Sequence, residues 1–199
     1  MFIAFEGIDG AGKTTAVRRL AEELRSRGYA TFETREPTEL FEPLISSVVR
    51  DGADPVSLFL LFTADRQMHQ TLIQEKINSG DIVISDRYIL SSYAYQGPGI
   101  ELRTGSWDLA RVWMDGVSRF INLRPDITIL LDLDPQISVD RLTSRKASTI
   151  RFFERREYLT RVRETYLKMV DDHTRVIDSS KDKDEVFEDI LQSLGNFLS

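Results

Sequence analysis

The chain has 199 residues, of which 41% are hydrophobic and 29% are charged, a balance typical of one globular domain with a sizeable core. It contains no cysteine, which excludes disulfide bonds and thiolate metal sites. The formal net charge of −6 argues against a broad nucleic-acid-binding surface. The amino terminus lacks the features of an export signal, and no apolar run has the length of a membrane span. We therefore expect a cytoplasmic protein with no nucleic-acid or membrane partner.

Apolar runs alternate with amphipathic patterns along the first part of the chain. Residues 2–5 are typical of a buried strand, and residues 14–27 show the periodicity of an amphipathic helix that ends before a glycine. A second strand is predicted at 29–34. A long helix is predicted at 54–78, where an aspartate followed by proline has the order of an N-cap and a first helical residue.

The same alternation continues to the end of the chain. It predicts strands at 81–85, 126–132 and 175–177, and helices at 135–142, 154–170 and 182–198. Two of these strands are almost continuously apolar, which favours a parallel sheet that is covered on both faces. We therefore predict an α/β fold with a five-stranded parallel sheet flanked by helices. No repeat or linker divides the chain, so we expect a single domain over 1–199.

A phosphate-binding motif lies between the first predicted strand and the first predicted helix. Residues 7–14 read Gly-Ile-Asp-Gly-Ala-Gly-Lys-Thr and match G-x-x-x-x-G-K-[ST], which predicts a P-loop NTPase fold. Glycines let the backbone N–H groups point at phosphate oxygens, and the following helix adds its positive end. Lys13 is expected to reach the β- and γ-phosphates of ATP, and the Thr14 hydroxyl to bind Mg²⁺. The predicted nucleotide-binding residues are Gly7, Ile8, Asp9, Gly10, Ala11, Gly12, Lys13, Thr14 and Thr15.

The class of P-loop protein follows from what else the sequence contains. A GTPase switch would need N-K-x-D to read guanine and a D-x-x-G turn, and neither occurs outside the phosphate loop. A motor or transporter ATPase is normally larger than this chain. We therefore expect a kinase for a small metabolite, and a nucleotide-dependent switch without transfer activity is the alternative from another class.

Arginines at strand ends indicate the kind of acceptor. A hydroxyl acceptor calls for a carboxylate base, whereas a phosphate acceptor is already anionic and needs cations that hold two anions in line. Arg35 follows the second predicted strand and Arg87 follows the third, at the edge where parallel sheets bind ligands. Either could instead form a structural ion pair. Further arginines cluster at 141–146 and 151–156, as in a site for a small polyanion or in a solvated helix face.

An ordered set of motifs resembles the thymidylate kinase family of P-loop nucleoside monophosphate kinases. The motifs are Glu-Gly-Ile-Asp-Gly-Ala-Gly-Lys-Thr-Thr at 6–15, Thr-Arg-Glu-Pro at 34–37, Leu-Phe-Thr-Ala-Asp-Arg at 61–66, Asp-Arg-Tyr at 86–88, Ser-Ser-Tyr-Ala-Tyr-Gln-Gly at 91–97 and Arg-Pro-Asp at 124–126. The first motif marks only a P-loop enzyme, whereas the ordered set is specific. The resemblance implies transfer of the γ-phosphoryl group from ATP to dTMP with Mg²⁺, and a homodimer.

The resemblance also implies roles for residues around the acceptor's sugar and phosphate. Asp9 would accept a hydrogen bond from the 3′-hydroxyl, and Arg35 and Arg87 would hold the 5′-phosphate. Asp86 would lie near the metal ion and the acceptor phosphate. Tyr95 would crowd the 2′ position and so favour deoxyribose. The tyrosine could equally be a buried aromatic residue whose hydroxyl meets a backbone group.

Around the base, the resemblance implies a second set of contacts. Phe62 would stack on the thymine ring, Arg66 would donate to its exocyclic oxygen, and Gln96 would lie against the base edge. Ser92 is included among the substrate-binding residues. The alternative for Phe62 is core packing, because it falls on the apolar face of its predicted helix.

Two further carboxylates follow the fourth predicted strand. Asp132 is an alternative to Asp86 beside the metal ion. Asp132 or Asp134 could instead cap the turn into the helix at 135–142.

Other pyrimidine monophosphates, or a deoxynucleoside, remain alternative acceptors.

The source of the catalytic arginine is predicted to be a lid at about 144–153. Family members carry this arginine in the phosphate loop or in the lid, and the variable loop positions 8–11 contain none. In members with a lid arginine, an Asp-Arg pair is followed shortly by Glu, whereas this chain reads Ile-Arg-Phe-Phe-Glu at 150–154. Arg151 is therefore our first choice, ahead of Arg145 and Lys146.

Overall fold

The computed structural model of the protein describes residues 1–50, 54–145 and 155–195, with the side chains of Arg50 and Arg145 left aside. Its elements follow in the order β1 (Phe2–Glu6), α1 (Lys13–Ser26), β2 (Thr31–Arg35), α2 (Glu42–Arg50), α3 (Pro55–Asn78), β3 (Ile82–Asp86), α4 (Ile89–Thr104), α5 (Trp107–Val117), β4 (Ile127–Asp132), α6 (Pro135–Arg145), α7 (Arg156–Lys168), β5 (Thr174–Asp178) and α8 (Lys183–Leu194). No helix in the described ranges combines the length and apolar character needed to cross a membrane.

The five strands form one parallel sheet in the order β2-β3-β1-β4-β5. The prediction of a five-stranded parallel sheet flanked by helices is therefore confirmed. Phe5 of β1 lies opposite Asp86 on one side and Ile129 on the other, so β1 occupies the centre. β2 and β3 lie on one side of β1, and β4 and β5 lie on the other, so the strand order reverses at β1 and a crevice forms at its carboxyl end. The phosphate motif begins at that point.

Both faces of the sheet are buried against helices. Neighbouring residues of a strand point to opposite faces, so Ile3 and Phe5 pack with α1, α7 and α8, while Phe2 and Ala4 pack with α3 and α5. All five residues of β1 are buried. The continuous apolar pattern of β1 thus reflects a core on each side.

The predicted element boundaries agree with the structure to within a few residues, but three helices were not predicted. These are α2, α4 and α5. Helix α4 contains Gly97, Pro98 and Gly99, which are poor helix formers. A Cβ atom on Gly97 would lie 2.8 Å from the Trp107 ring, and one on Gly99 would lie 2.8 Å from Pro55. Close packing against α3 and α5 therefore selects small residues there and overrides their low helix propensity.

The predicted start of the long helix is confirmed. The Asp54 side chain accepts hydrogen bonds from the backbone N–H groups of Val56 and Ser57, at 3.3 and 3.4 Å. Pro55 occupies the first helical position, where no intrahelical donor is lost. The last residues of the predicted helix 182–198 lie outside the described part of the chain.

Gly7 begins the phosphate loop under the tightest steric constraint. Its φ is +137°, and a Cβ atom would lie 2.4 Å from the carbonyl oxygen of Leu131 on the neighbouring strand. Gly28 also has a positive φ, of +90°, but a Cβ atom there would meet no atom within 4 Å. A side chain at Gly7 would therefore meet both backbone strain and a steric clash, whereas one at Gly28 would meet the strain alone.

We predict that Gly7→Ala lowers the free energy of unfolding by at least about 3 kcal/mol, because strain and collision add. The matched control Gly28→Ala carries the strain alone and should lose about 1–2 kcal/mol. Urea unfolding followed by circular dichroism measures both values. Equal losses in the two variants would show that the strand does not restrict the loop.

Candidate active site

The phosphate loop curls between β1 and the start of α1. Gly10 and Gly12 have φ values of +80° and +97°, in the left-handed region that glycine adopts at little cost. Gly12 precedes the first turn of α1, whose free N–H groups carry the positive end of the helix dipole. A cleft of about 180 Å³ lies over the loop, lined also by Lys13, Thr14 and Asp86. The cleft is built to bind phosphate.

Lys13 bends back over the loop. Its Nζ donates to the carbonyl oxygens of Gly7 and Ile8, at 3.0 and 2.9 Å. Burial and the charge of Arg87 lower the pKa of Lys13 to about 8, against the opposing effect of nearby carboxylates. An anion in the cleft would restore the stability of the charged amine.

Thr14 and Asp86, the two predicted metal residues, are in direct contact. The Thr14 hydroxyl donates to Asp86 Oδ2 at 2.5 Å, across the gap between α1 and the end of β3. Mg²⁺ is commonly bound by one or two protein oxygens together with water and substrate phosphates. Within the described residues, no group of three or more His, Cys, Asp or Glu side chains could hold a metal ion by itself. The two oxygen donors beside the phosphate cleft fit a magnesium ion shared with a nucleotide.

The carboxylates that follow β4 have other partners. Asp132 accepts two hydrogen bonds from Arg163, at 2.6 and 2.7 Å. Asp134 caps α6, since its carboxylate accepts from the N–H of Gln136 at 2.7 Å. The capping alternative therefore holds for Asp134. The structure places Asp132 in an ion pair with α7 instead.

Arg87 lies at the turn between β3 and α4 with a φ of +74°, a conformation rare for a side chain of this size. Its guanidinium donates to Asp9 Oδ1 at 2.5 Å and to Ser91 Oγ at 3.1 Å, and stands 5.0 Å from the centre of the Tyr95 ring. Strain of this kind costs about 1–3 kcal/mol and persists only where surrounding contacts hold it. The turn therefore aims Arg87 at the phosphate loop.

Glu6 holds that turn, a role that our sequence analysis missed. Its carboxylate is fully buried and accepts from the N–H groups of Tyr88 and Ser91, at 2.9 and 3.2 Å. It also accepts from the hydroxyls of Ser91 and Tyr166, at 2.6 and 3.0 Å. Burial raises the pKa of Glu6, although these bonds and Arg87 oppose the shift. The one sequence feature that could have indicated this role is a single carboxylate at the end of an otherwise apolar strand.

A second cavity, of about 260 Å³, adjoins the phosphate cleft and shares Asp9 and Arg87 with it. Most of the predicted substrate-binding residues line this acceptor cavity: Asp9, Phe62, Arg66, Arg87, Ser92, Tyr95 and Gln96. Phe62 is partly exposed and belongs to neither buried core cluster, so the structure places it in the cavity wall. Arg35 and Asp86 lie instead in a neighbouring groove with Thr14.

Arg66 and Gln96 are buried at one end of the acceptor cavity. Arg66 Nε and Nη2 donate to Glu36 Oε2 at 2.8 and 2.5 Å, and Nη2 also donates to Ser92 Oγ at 3.0 Å. Arg66 Nη1 and Gln96 Oε1 have no hydrogen-bond partner in the part of the chain that the structure describes. Buried polar atoms without partners are costly. Arg66 therefore has an unused donor and Gln96 an unused acceptor, and both residues line the acceptor cavity.

Tyr95 lines the acceptor cavity next to the phosphate loop. Its hydroxyl accepts from the backbone N–H of Asp9 at 3.1 Å and from Arg87 Nη2 at 3.4 Å. Burial and the charge of Asp9 raise the pKa of the phenol above its usual range. The tyrosine hydroxyl thus does meet a backbone group, while its ring lines the cavity.

Arg35 forms an ion pair in the structure. Its Nη2 donates to Glu42 Oε2 at 2.5 Å, and the two side chains are 54% and 43% exposed. Exposed pairs of this kind contribute at most about 1 kcal/mol. Arg35 is therefore held near the acceptor cavity by a contact that a phosphate group can replace.

A third cavity, of about 260 Å³, lies on the other side of the phosphate loop. Arg141 crosses its wall, donating to the carbonyl oxygens of Gly10 and Ser179 at 3.2 and 3.1 Å. One member of the first arginine cluster thus lies at the loop, although no role was predicted for it individually. Arg151 and Lys146 lie outside the described residues, as does the side chain of Arg145. The ranking of the lid arginines stays a prediction.

Comparison with known proteins agrees with this geometry. A family model described as thymidylate kinase matches residues 5–190. The chain is 47% identical over 166 residues to a probable thymidylate kinase of Thermoplasma volcanium, covering 83% of each chain. It is 42% identical to a probable thymidylate kinase of Thermoplasma acidophilum, over 98% of this chain and 97% of the relative. A probable thymidylate kinase of Saccharolobus solfataricus is 39% identical, over 96% and 94%. A chain with this phosphate loop and these relatives belongs to the thymidylate kinase family.

Proposed function

We propose that this protein is an ATP-dependent nucleoside monophosphate kinase that transfers the γ-phosphoryl group of ATP to dTMP and releases dTDP. Family membership and the names of its relatives support the reaction class. The observation that carries the acceptor is the buried pair of free polar atoms, Arg66 Nη1 and Gln96 Oε1, in a cavity that adjoins the phosphate loop.

This pair of atoms complements the edge of thymine. Thymine O4 accepts a hydrogen bond and its N3–H donates one, which matches a free donor on Arg66 and a free acceptor on Gln96. Cytosine presents an amino group and an unprotonated N3, so it would place donor against donor and acceptor against acceptor. A site built to hydrogen-bond one pattern rejects the reversed pattern strongly, because its buried groups are left unpaired. Phe62 in the cavity wall offers a surface for the base ring.

The carboxylates of the acceptor cavity argue for a phosphate rather than a hydroxyl acceptor. Asp9, Glu36 and Glu42 are each paired with an arginine. Burial alone would raise the pKa of Asp9, but the charges of Arg87 and Lys13 lower it below its usual value. A base for a hydroxyl group works best with a pKa near 7. Asp9 is therefore a poor base, and Glu36 and Glu42 are each engaged by an arginine, which disfavours a deoxynucleoside acceptor.

ATP fits as the donor because the phosphate loop and the third cavity adjoin. Lys13 would hold the β- and γ-phosphates, while Arg87 and Arg35 hold the acceptor phosphate in line with them. Thr14 and Asp86 would hold Mg²⁺, which when bound offsets the charge of the phosphates. Arg35 must leave Glu42 for this role, at a cost of at most about 1 kcal/mol.

Four further parts of the proposal rest on the sequence. The catalytic lid arginine is assigned to Arg151, with Arg145 as the second choice. The resemblance supports a homodimer, and the composition supports a cytoplasmic location and a single kinase domain over 1–199.

We predict that a coupled assay of ADP release gives the highest kcat/KM with dTMP. The value for dUMP should be lower by about tenfold because a buried methyl group is lost, and that for dCMP by at least about 100-fold because its edge is reversed. Thymidine should give no rate above background, because each carboxylate of the cavity is held in an ion pair with an arginine. Another preferred acceptor would overturn the assignment of the base site. If no monophosphate stimulates ADP release, the kinase assignment itself is wrong.

We predict that nucleotide binding takes up protons at pH 8–9. The folded pKa of Lys13 is lowered to about 8, so the free protein loses this charge as pH rises through that value, and bound phosphates raise the pKa again. ADP affinity should therefore fall by up to about tenfold per pH unit above pH 8. Calorimetry in two buffers of different ionisation enthalpy measures the uptake. A Lys13→Met control should bind without it, and equal uptake in both proteins would assign the proton to another group.

We predict that Arg151→Ala lowers kcat by about 10²- to 10³-fold, because it removes a cation that acts on the transferring group. The matched variant Arg145→Ala should lose less than about tenfold, since Arg145 is the second choice on the same segment. Affinity for dTMP, measured by calorimetry, should stay within a few-fold in both, since the acceptor phosphate is held by other residues. A larger kcat loss in Arg145→Ala would reverse the assignment.

A further inference from the structure

A chain of buried hydrogen bonds leads to Arg66, which lies with Gln96 at one end of the acceptor cavity. Thr34 Oγ1 lies 2.7 Å from His69 Nε2, and His69 Nδ1 lies 3.1 Å from Glu36 Oε1. Glu36 in turn accepts from Arg66 through its other oxygen. His69, Glu36 and Arg66 are 3%, 4% and 1% exposed. The chain of hydrogen bonds links β2 to Arg66, and His69 was not among the predicted site residues.

The two oxygens of Glu36 have different donors. Oε2 receives both Nε and Nη2 of Arg66, whereas Oε1 receives only His69 Nδ1 among the side-chain donors in the described residues. Without His69, Oε1 would be a buried, charged acceptor with no partner. The nearby donor that also has no partner is Arg66 Nη1. The Glu36 carboxylate would then be more stable if it turned toward Nη1, because each of its oxygens could accept a hydrogen bond from Nη1 or Nη2 in a bidentate pair.

The partners of His69 also select one tautomer. A carboxylate only accepts, so Nδ1 must carry the hydrogen, and a neutral ring then accepts at Nε2 from the Thr34 hydroxyl. Glu36 and Arg66 carry opposite charges, so a neutral imidazole leaves the buried group balanced. Both ring nitrogens are satisfied in this arrangement.

We propose that His69 is a positioning residue for thymine recognition, which holds Glu36 so that Arg66 Nη1 stays free to donate to the base. The proposal rests on the proposed function and adds to it a residue that does not line the acceptor cavity. His69 acts through Glu36 and Arg66, so its loss should affect acceptor binding and base choice more than the chemical step.

The kinetic test compares His69→Leu with His69→Asn. Leucine fills much of the ring volume and offers no hydrogen bond, whereas the asparagine amide places a donor near the position of Nδ1. His69→Leu should raise KM for dTMP by about tenfold, as expected for one lost hydrogen bond to the base. Its preference for dTMP over dCMP should fall by a similar factor, while kcat and KM for ATP stay within about twofold. His69→Asn should recover most of the loss.

A purely structural role gives a different pattern. In that case stability, kcat and KM for ATP change together in both variants, while the preference for dTMP over dCMP stays the same. That pattern, or a His69→Asn variant as impaired as His69→Leu, would overturn the positioning role. If the wild-type protein releases no ADP in response to any monophosphate, the proposed function falls and the positioning role falls with it.

The tautomer provides a test that needs no activity. The chain contains two histidines, and the other, His173, is exposed and far along the sequence. In a His173→Gln protein labelled with ¹⁵N-histidine, all imidazole signals therefore belong to His69. Protonated Nδ1 and unprotonated Nε2 are expected, and an averaged pair of shifts or the opposite tautomer would overturn the proposal even if the leucine variant fails to fold.

Discussion

The buried carboxylate of Glu6 is the constraint on which the rest of the site depends. It stands at the end of the central strand and receives the first N–H groups of α4, so the chain must turn sharply between β3 and α4. That turn forces Arg87 to a positive φ and directs its guanidinium across the crevice to Asp9 in the phosphate loop. The phosphate cleft and the acceptor cavity therefore meet at the Arg87–Asp9 ion pair. An apolar residue in place of Glu6 would leave these N–H groups buried without partners.

Burial divides the charges of the site into two groups. The Arg35–Glu42 pair is about half exposed, so water compensates each partner when they separate. The Arg66–Glu36 pair is almost fully buried, so separating it would leave an uncompensated charge in the interior. The Arg35–Glu42 pair can thus separate to bind a phosphate group at little cost, whereas the Arg66–Glu36 pair keeps its geometry. A site that must accept anions and still discriminate between bases needs both properties.

The sequence predicted the sheet, the phosphate loop and the strand ends that carry Arg35 and Arg87, because each follows from a local pattern. It did not predict α4, whose glycines are selected by contact with Trp107 and Pro55 rather than by helix propensity. Glu6 and His69 were also missed, since their partners lie on other elements and no spacing rule joins them. The roles of individual site residues stay predictions, because proximity in the structure does not measure their effect on the reaction.

The atoms of Arg66 and Gln96 that lack partners connect the proposed base recognition to residues outside the acceptor cavity. An arginine has five N–H donors in one plane, so its specificity depends on which of them are already bound. For Arg66, Glu36 and Ser92 bind the Nε and Nη2 side and leave Nη1 without a partner among the described residues. Which donor stays free therefore depends on how Glu36 is held, and His69 contacts the Glu36 oxygen that Arg66 does not bind. If Arg66 and His69 act as proposed, base selectivity is a property of a buried chain of hydrogen bonds that begins on β2, and only Arg66 at its end contacts the base.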